Sequence, residues 1–132
     1  MKYMLDTNIC IYAIKNNPSK IKNKISKLNS GDLCISIITY CELMYGVENS
    51  KKKDMNKVAL NTLLSNIEIL NYDVDSANCF AQIRSELKSK GNIIGDFDLL
   101  IAAHAKSKGL TLVTNNIKEF NRVKGLKIEN WV

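Results

Sequence analysis

The sequence predicts an α/β protein in which helices cover both faces of a mostly parallel sheet of four or five strands. Short apolar runs rich in β-branched residues alternate with helical patterns from one end of the chain to the other, and this alternation is typical of a parallel sheet. The chain has 132 residues, 45% of them hydrophobic, enough for one core of ordinary size. One Pro and six Gly mark no linker, so we treat residues 1–132 as a single domain.

The first half of the chain contains two predicted strands and three predicted helices. Each strand is a short apolar run bounded by polar residues, and Asn17-Pro18 and Ser30-Gly31 supply turns between elements. Lysines flank the apolar positions of the second helix, as expected of an amphipathic surface helix. In order, we predict a strand at 3–5, a helix at 9–16, a helix at 19–29, a strand at 33–38 and a helix from 39 to about 49.

The second half continues the alternation. The helix that precedes Gly109 is apolar nearly all round, so it should lie in the centre of the fold rather than on its surface. Gly91 closes the long helical pattern before it. In order, we predict a helix around 60–64, a strand at 67–70, a helix at 73–90, the apolar helix from 95 to 105, a strand at 110–114, a helical turn at 115–120 and an edge strand at 127–129.

The chain is basic, with 19 Lys and Arg against 13 Asp and Glu and a formal net charge of +6. This excess favours a polyanionic partner such as nucleic acid, and it serves solubility equally well. No run approaches about 18 uncharged apolar residues, and the opening apolar run is too short for a signal peptide. We therefore expect a soluble protein of the cytoplasm with no membrane partner.

The four cysteines lie at irregular spacing inside apolar segments, and the chain has a single histidine. A thiolate zinc site needs paired ligands at short spacing, and disulfide frameworks belong to small secreted domains. We therefore expect reduced, mostly buried thiols. His104 lies in the middle of the apolar helix and is expected to be a buried or interface residue rather than a catalytic base.

Acidic residues follow the predicted strands. Asp6 ends the first strand, Glu42 lies in the first turn after the second, and Asp98 opens the apolar helix. Because sites in parallel sheets form at the carboxyl ends of the strands, these carboxylates are expected to converge. Close carboxylates repel one another unless they share protons or hold a cation, and oxygen ligands select Mg²⁺ or Mn²⁺. A divalent ion on a basic protein suggests chemistry on phosphodiesters.

Most of these polar residues also have a local structural explanation, which is the capping of a helix. Asp6 is the exception, because no capping pattern requires an acid as the last residue of an apolar strand. The capping alternatives are Glu42 with Thr39, Asp96 at the head of its helix, Asp98 on the helix dipole, and Asn116 with Glu119.

Several segments form a set that spans the chain: MLDTNI at 4–9, YCELMYG at 40–46, IGDFDLLIAAHA at 94–105, LVTNN at 112–116, EF at 119–120 and ENWV at 129–132. In this order, without disturbing insertions, they resemble the PIN-domain ribonuclease toxins of VapBC toxin–antitoxin pairs. Separated blocks of this kind are far more specific than a lone acidic motif.

The resemblance implies a PIN-like α/β/α fold and an endoribonuclease that depends on Mg²⁺ or Mn²⁺. It implies a homodimer, and a cognate VapB-type antitoxin that lays an apolar, Arg-bearing tail over the enzyme. The substrate it implies is structured RNA, in this branch often tRNA.

Matched position by position, Asp6, Glu42 and Asp98 fall on the catalytic, metal-binding acids of the family. The fourth acidic place is Asn116 here, which removes one negative charge. Asp6 and Asp98 are then expected to contact the metal, and Glu42 to position or deprotonate the attacking water. The supporting positions are Thr114 and Asn116 for metal-bound waters, Asp96 as a cap or outer contributor, and Thr7 and Asn8 near the scissile phosphate or as caps of the first helix.

Substrate phosphates need cations around an acidic pocket. Three tyrosines, Tyr12, Tyr40 and Tyr45, lie nearest the motifs, and for them we expect core packing rather than base stacking. The candidates for the cationic rim are Lys51, Lys52 and Lys53, with Lys20, Lys24, Lys27, Lys88 and Lys90 as further members. The alternative for most of these lysines, and the one favoured for each taken alone, is a solvated surface.

Two other functions stay open on the sequence. A regulatory RNA-binding module with the PIN fold would keep the architecture with weak catalysis or none. A metal-dependent phosphatase of the haloacid-dehalogenase type also places an Asp at the end of its first strand. That phosphatase needs a second Asp two residues further on, where this chain has Asn8.

Overall fold

The computed structural model describes residues 1–132 and contains one sheet of five strands. The strands are β1 (Tyr3–Leu5), β2 (Leu33–Ser36), β3 (Glu68–Leu70), β4 (Thr111–Val113) and β5 (Lys127–Glu129). Their order across the sheet is β3-β2-β1-β4-β5, and every neighbouring pair is parallel. The predicted parallel sheet is therefore confirmed, with five strands.

Helices connect the strands and cover both faces of the sheet. Successive residues of a strand point to opposite faces, so Met4 packs in a core with the helices at 74–89 and 96–107. Leu5 packs in a second core with the helices at 7–15, 37–48 and 53–64. This arrangement confirms the predicted single-domain α/β sandwich. The helices are α1 (Thr7–Lys15), α2 (Ser19–Lys27), α3 (Ile37–Glu48), α4 (Lys53–Leu64), α5 (Val74–Ser89), α6 (Asp96–Ser107) and α7 (Ile117–Phe120), with a 3-10 turn at Ser30–Asp32.

The strand order makes β1 the centre of the sheet. The chain proceeds from β1 to β2 on one side and later places β4 on the other side. The order of the strands along the chain therefore reverses at β1, and a crevice is expected at the carboxyl end of the strands at such a point. The residue at that end of β1 is Asp6.

The start of α1 differs from the prediction. The helix begins at Thr7 rather than Ile9, and Asp6 is its N-cap, with a side-chain oxygen that accepts a hydrogen bond from the Ile9 backbone N–H at 2.9 Å. The statement that Asp6 has no capping role is therefore wrong, because the strand passes directly into a helix without a loop. Thr7 and Asn8 lie inside the first turn and do not cap it.

The predicted capping box of Thr39 and Glu42 is also wrong. Helix α3 begins at Ile37, and its N-cap is Ser36, whose hydroxyl accepts a hydrogen bond from the Ile38 backbone N–H at 3.1 Å. Thr39 is fully buried within the helix. The β-branched run at 33–38 predicted a longer strand, but this cap ends β2 at Ser36 and leaves Glu42 free for another contact.

Two further capping predictions fail for the same kind of reason. The N-cap of α6 is Gly95, and Asp96 instead forms an ion pair with Arg84 at 3.1 Å. Asn116 is the N-cap of α7 by position, but its side chain makes no capping hydrogen bond. Neither Asp96 nor Asn116 is therefore held by the local pattern that predicted its role.

The cysteines are all free, and their burial differs from the prediction in part. Cys10 and Cys34 are buried, Cys79 is half-buried, and Cys41 is exposed on α3. None of the helices is both long enough and apolar enough to cross a membrane.

Candidate active site

Asp6 is a buried carboxylate at the centre of the sheet edge, with only 4% of its surface exposed. Its backbone N–H donates a hydrogen bond to the Val113 carbonyl at 3.0 Å, so β1 and β4 fix its position. Burial raises the pKa of its carboxyl, hydrogen bonds from the Thr114 hydroxyl and the Ile9 amide oppose this rise, and the charge of Glu42 adds to it. Asp6 is thus held at a fixed point where a nearby cation would be favoured.

Glu42 is half-buried on α3 and is oriented by a long-range contact. The Thr7 hydroxyl donates a hydrogen bond of 2.6 Å to the Oε1 atom of Glu42. Thr39 lies on the same side, with its hydroxyl oxygen 3.5 Å from that of Thr7. The first turn of α1 therefore fixes one oxygen of Glu42 and leaves the other free.

Asp98 lies in the first turn of α6 and is half-buried. Its pKa is raised to about 6, first by burial and then by the charges of Glu119, Asp6 and Glu42. The same three acids could raise this pKa only if they lie within electrostatic reach of one carboxyl group. The structure therefore brings Asp6, Glu42 and Asp98 together, as the sheet rule predicts.

Glu119 is the site residue that sequence reasoning missed. It lies in α7, and among neighbouring charges its carboxylate has the largest effect on the pKa of Asp98. The sequence contained a usable signal, because Glu119 is the first acid after the carboxyl end of its strand, just as Asp6 and Glu42 are. The capping pattern of Asn116 with Glu119 predicted instead that this carboxylate would bond to the backbone at the start of its helix.

Thr114 and Asn116 lie directly beside the acids. Thr114 is fully buried, its hydroxyl accepts a hydrogen bond from the Asn116 backbone N–H at 3.0 Å, and it opposes the rise in the pKa of Asp6. The Asn116 side chain is half-buried and stays available to a ligand. Asn8 is exposed one residue beyond the Thr7 that orients Glu42, and Asp96 points to solvent, with 76% of its side chain exposed.

The predicted lysine rim is only partly free for substrate. Lys51 and Lys52 are exposed between α3 and α4, and Lys53, also exposed, begins α4 and forms an ion pair with Glu48 at 3.5 Å. Among the other predicted members, Lys24 lies over the Trp131 ring and Lys90 pairs with Glu86.

Lys15 is a cation that the sequence analysis did not single out. It lines a crevice of about 200 Å³ between α1, α3 and α4, together with Glu42. This crevice is otherwise mostly apolar, so it offers one positive and one negative group at the border of the acidic site.

Two exposed aromatic side chains accompany the acids. Tyr45, on α3, is 70% exposed, so the expected core packing is wrong for this residue, and Phe97, next to Asp98, is 56% exposed. Tyr12 accepts a hydrogen bond from the Asn115 side chain at 2.9 Å and is half-buried. His104 is fully buried, as expected.

The chemistry of the acidic cluster fits a hard divalent cation. All its ligand atoms are oxygens, and burial and the charges of neighbouring acids raise the pKa values of Asp6 and Asp98, which a cation would relieve. No three acidic, cysteine or histidine side chains are arranged to chelate one ion directly. Mg²⁺ keeps several of its waters and takes only one or two carboxylates directly, so its binding does not require three such side chains.

The raised pKa of Asp98 predicts that the metal-free protein loses stability as pH rises. In EDTA, its contribution is complete below pH 3.8 and is lost as the pH passes about 6. Solvent screens this half-buried group, so we expect a difference on the order of 1 kcal/mol. Thermal unfolding at several pH values should show a smaller decline for Asp98→Asn than for the wild type. An equal fall in Tm for the wild type and Asp98→Asn would contradict a raised pKa at Asp98.

The family of the chain follows from a match to a domain model. The model that describes the PIN domain matches residues 3–126, a range that includes all four acids. The chain belongs to the PIN-domain family. This membership confirms the predicted family and removes the phosphatase alternative.

Curated relatives of this PIN domain are VapC ribonucleases. It is 47% identical over 131 residues to the tRNA(fMet)-specific endonuclease VapC of Shigella flexneri, with 99% of this chain and 98% of that protein covered. It is 48% identical over 132 residues to ribonuclease VapC2 of Rickettsia felis, with 99% and 98% covered. The predicted VapC branch of the family is therefore confirmed.

Solved structures that resemble this PIN domain are toxin–antitoxin complexes. VapBC2 from Rickettsia felis, bound to a DNA fragment from its promoter, contains a chain with a TM-score of 0.94 and 46% identity, and all of both chains is covered. VapBC-1 from nontypeable Haemophilus influenzae gives a TM-score of 0.89 at 38% identity, with 99% of this chain and 98% of that chain covered.

Proposed function

We propose that this PIN-domain protein is an endoribonuclease toxin of the VapC type that depends on Mg²⁺ or Mn²⁺. The observation that carries the proposal is the cluster of Asp6, Glu42, Asp98 and Glu119 at the carboxyl edge of the sheet. The charges of the neighbouring acids add to the burial that raises the pKa values of Asp6 and Asp98, within a fold shared with VapC ribonucleases.

The hydroxyl groups around the cluster aim the acids. One oxygen of the Asp6 carboxylate accepts a hydrogen bond from the Ile9 amide, and the Thr114 hydroxyl acts on the same carboxylate. The other lone pairs of its two oxygens are free for a cation. Asp6, Asp98 and Glu119 would hold the ion, directly or through water, and Asn116 would hold a water beside them. When bound, a divalent ion polarises a phosphoryl oxygen and makes water more acidic.

Glu42 is the group that takes the proton from the attacking water. Thr7 fixes one of its oxygens at 2.6 Å, so the other can accept a proton from a water beside the scissile phosphate. The water oxygen bonds to phosphorus as the bond from phosphorus to the leaving ribose oxygen breaks. The leaving oxygen takes a proton from solvent. Removing the water's proton at Glu42 avoids a build-up of positive charge on the attacking oxygen.

The substrate we propose is tRNA, with initiator tRNA as the first candidate. The Shigella flexneri and Salmonella typhimurium relatives are tRNA(fMet)-specific endonucleases. The net charge of +6 favours RNA over a neutral substrate. Tyr45 and Phe97 are exposed near the acids and offer faces on which unpaired bases stack.

We propose a VapB-type antitoxin as the inhibitor and a homodimer as the toxin's own state. The crevice beside Glu42 has an apolar lining that includes Ile11, Leu43 and Leu60, which suits an apolar peptide tail. A cationic side chain at the end of that tail would pair with the acids and block a metal ion. Light scattering on the free protein measures the oligomeric state.

The proposed activity predicts cleavage of tRNA that stops when the metal is removed. Purified protein is incubated with total tRNA in Mg²⁺ or in EDTA, beside the Asp6→Asn variant, and the fragment ends are sequenced. We expect cleavage at one position of one tRNA species in Mg²⁺ only, and none with Asp6→Asn. Full cleavage in EDTA would contradict metal dependence. A wild-type protein that binds tRNA without cleaving it would indicate the regulatory PIN-fold alternative.

A further inference from the structure

The buried His104 makes one specific polar contact. Its Nδ1 atom lies 2.7 Å from the Ser36 hydroxyl, across 68 residues of sequence. Its other ring nitrogen, Nε2, has no partner that meets hydrogen-bond geometry. Tyr72 packs edge-on against the His104 ring, with the ring centroids 4.9 Å apart. The Tyr72 hydroxyl donates a hydrogen bond of 3.0 Å to the carbonyl of Leu100, which lies in the same helix as His104. A polar ring in a core is costly to desolvate, so this contact needs an explanation.

The Ser36–His104 contact joins the two helices that carry acids of the site. Ser36 is the N-cap of α3, which carries Glu42. His104 belongs to α6, which carries Asp98. The hydrogen bond thus connects the start of one acid-bearing helix to the body of the other, away from the acids themselves.

The direction of the hydrogen bond follows from the groups around Ser36. The serine oxygen accepts the Ile38 amide hydrogen at 3.1 Å, and its own proton has only His104 Nδ1 to donate to. Nδ1 is then the acceptor, and the ring proton lies on Nε2, the nitrogen without a hydrogen-bond partner. The imidazole is therefore neutral and in a single tautomer.

The charged groups around the ring agree with a neutral imidazole. Burial lowers the pKa of His104, and the positive charge of Lys108 acts in the same direction. The carboxylate of Asp73 opposes them, but it is paired with Lys108. Asp73, between β3 and α5, and Lys108, at the end of α6, therefore do not favour a charged ring. Nδ1 stays unprotonated and can accept the hydrogen bond from Ser36.

We propose that the Ser36–His104 hydrogen bond sets the position of α6 against α3, and thereby the spacing of Asp98 and Glu42 in the acidic cluster. His104 is then a positioning residue for phosphodiester cleavage and touches neither metal nor RNA. This inference rests on the proposed function. The effect of this hydrogen bond on the relative position of the two helices can, however, be measured without a cleavage assay.

Three substitutions separate positioning from simple packing. In His104→Asn, the amide oxygen takes the place of Nδ1 and can accept from Ser36. In His104→Gln, the amide reaches the place of Nε2 and leaves the Ser36 proton without an acceptor. In His104→Leu, the volume is nearly kept but all hydrogen bonding is lost.

The two roles predict opposite orders of activity. Asn is the smallest of the three and leaves a void, so a packing role predicts that His104→Asn is the least stable and the least active. Positioning predicts that His104→Asn keeps kcat within about threefold of wild type, although its Tm is the lowest. His104→Leu and His104→Gln should lose kcat about 10- to 100-fold with KM within about twofold, because small displacements of catalytic groups act on the chemical step.

Nuclear magnetic resonance gives the readout that does not depend on cleavage. His104 is the only histidine, so ring-labelled histidine yields one imidazole, whose nitrogen shifts should report a neutral ring protonated at Nε2. The backbone amide resonances of Glu42 and Asp98 should move in His104→Leu and return toward wild type in His104→Asn.

The outcomes decide the proposal as follows. Activity that follows Tm across the three variants, or a ring protonated at Nδ1, overturns it. Amide resonances of Glu42 and Asp98 that stay unmoved in His104→Leu also overturn it. If the wild type cleaves no RNA, the proposed function fails, and the amide resonances alone then decide whether the two helices are linked through His104.

Discussion

Replacing Asp98 by Asn is expected to lower the rate of RNA cleavage by about 100-fold or more, while the protein stays folded. Burial raises the pKa of Asp98 to about 6, and the charges of Glu119, Asp6 and Glu42 add to this rise. The substitution keeps the size of the side chain but removes the charge that a cation needs. Because repulsion inside the cluster falls, the Tm in EDTA at neutral pH should be unchanged or higher.

A matched control for Asp98→Asn is Asp96→Asn. Asp96 lies in the same helical turn, but it is exposed and paired with Arg84, and ion pairs of this kind contribute little to stability. We expect its cleavage rate to remain within about twofold of wild type. Wild-type activity of Asp98→Asn at saturating Mg²⁺ would show that the metal assignment is wrong.

Replacing Glu119 by Gln is the second substitution with a large expected effect. We expect the cleavage rate to fall about 10- to 100-fold and the Mg²⁺ concentration for half-maximal rate to rise. Glu119 is the strongest charged neighbour of Asp98, so its removal also brings the pKa of Asp98 nearer its ordinary value. The pH dependence of Tm in EDTA measures this second effect.

The comparison with Asn116→Ala tests which residue is the fourth member of the site. The motif match places that member at Asn116, whereas the electrostatics of the structure point to Glu119. We expect the loss in rate to be larger for Glu119→Gln than for Asn116→Ala. A larger loss of rate in Asn116→Ala would indicate that Asn116, and not Glu119, is the fourth member of the site.

The fold and three of the acids were predictable because they depend on local patterns. Alternating strands and helices indicate a parallel sheet, and the carboxyl ends of its strands bring Asp6 and Glu42 to one edge. Asp98 lies in the first turn of α6, which follows α5 rather than a strand, and its place in the site comes from the motif match. The apolar helix around His104 was expected at the centre of the fold, and His104 is fully buried there. Apart from that of Asp98, these inferences needed only periodicity and one rule of sheet topology.

The contacts that orient the site were not predictable, because they join distant parts of the chain. Thr7 and Glu42 are 35 residues apart, and Ser36 and His104 are 68 apart. Capping rules consider only neighbours along one helix, so they could not assign Glu42 to its contact with Thr7 or Glu119 to its place near Asp98. Net charge likewise could not show that Lys24, Lys53 and Lys90 have partners within the protein.

The binding of Mn²⁺ tests most directly whether the four acids form one metal-dependent site. Electron paramagnetic resonance at neutral pH measures free Mn²⁺ during titration of the wild type, Asp6→Asn, Asp98→Asn and Asp96→Asn. We predict that Asp6→Asn and Asp98→Asn each weaken binding about 10-fold or more, and that Asp96→Asn binds like the wild type. Equal affinities in all four proteins would contradict the account.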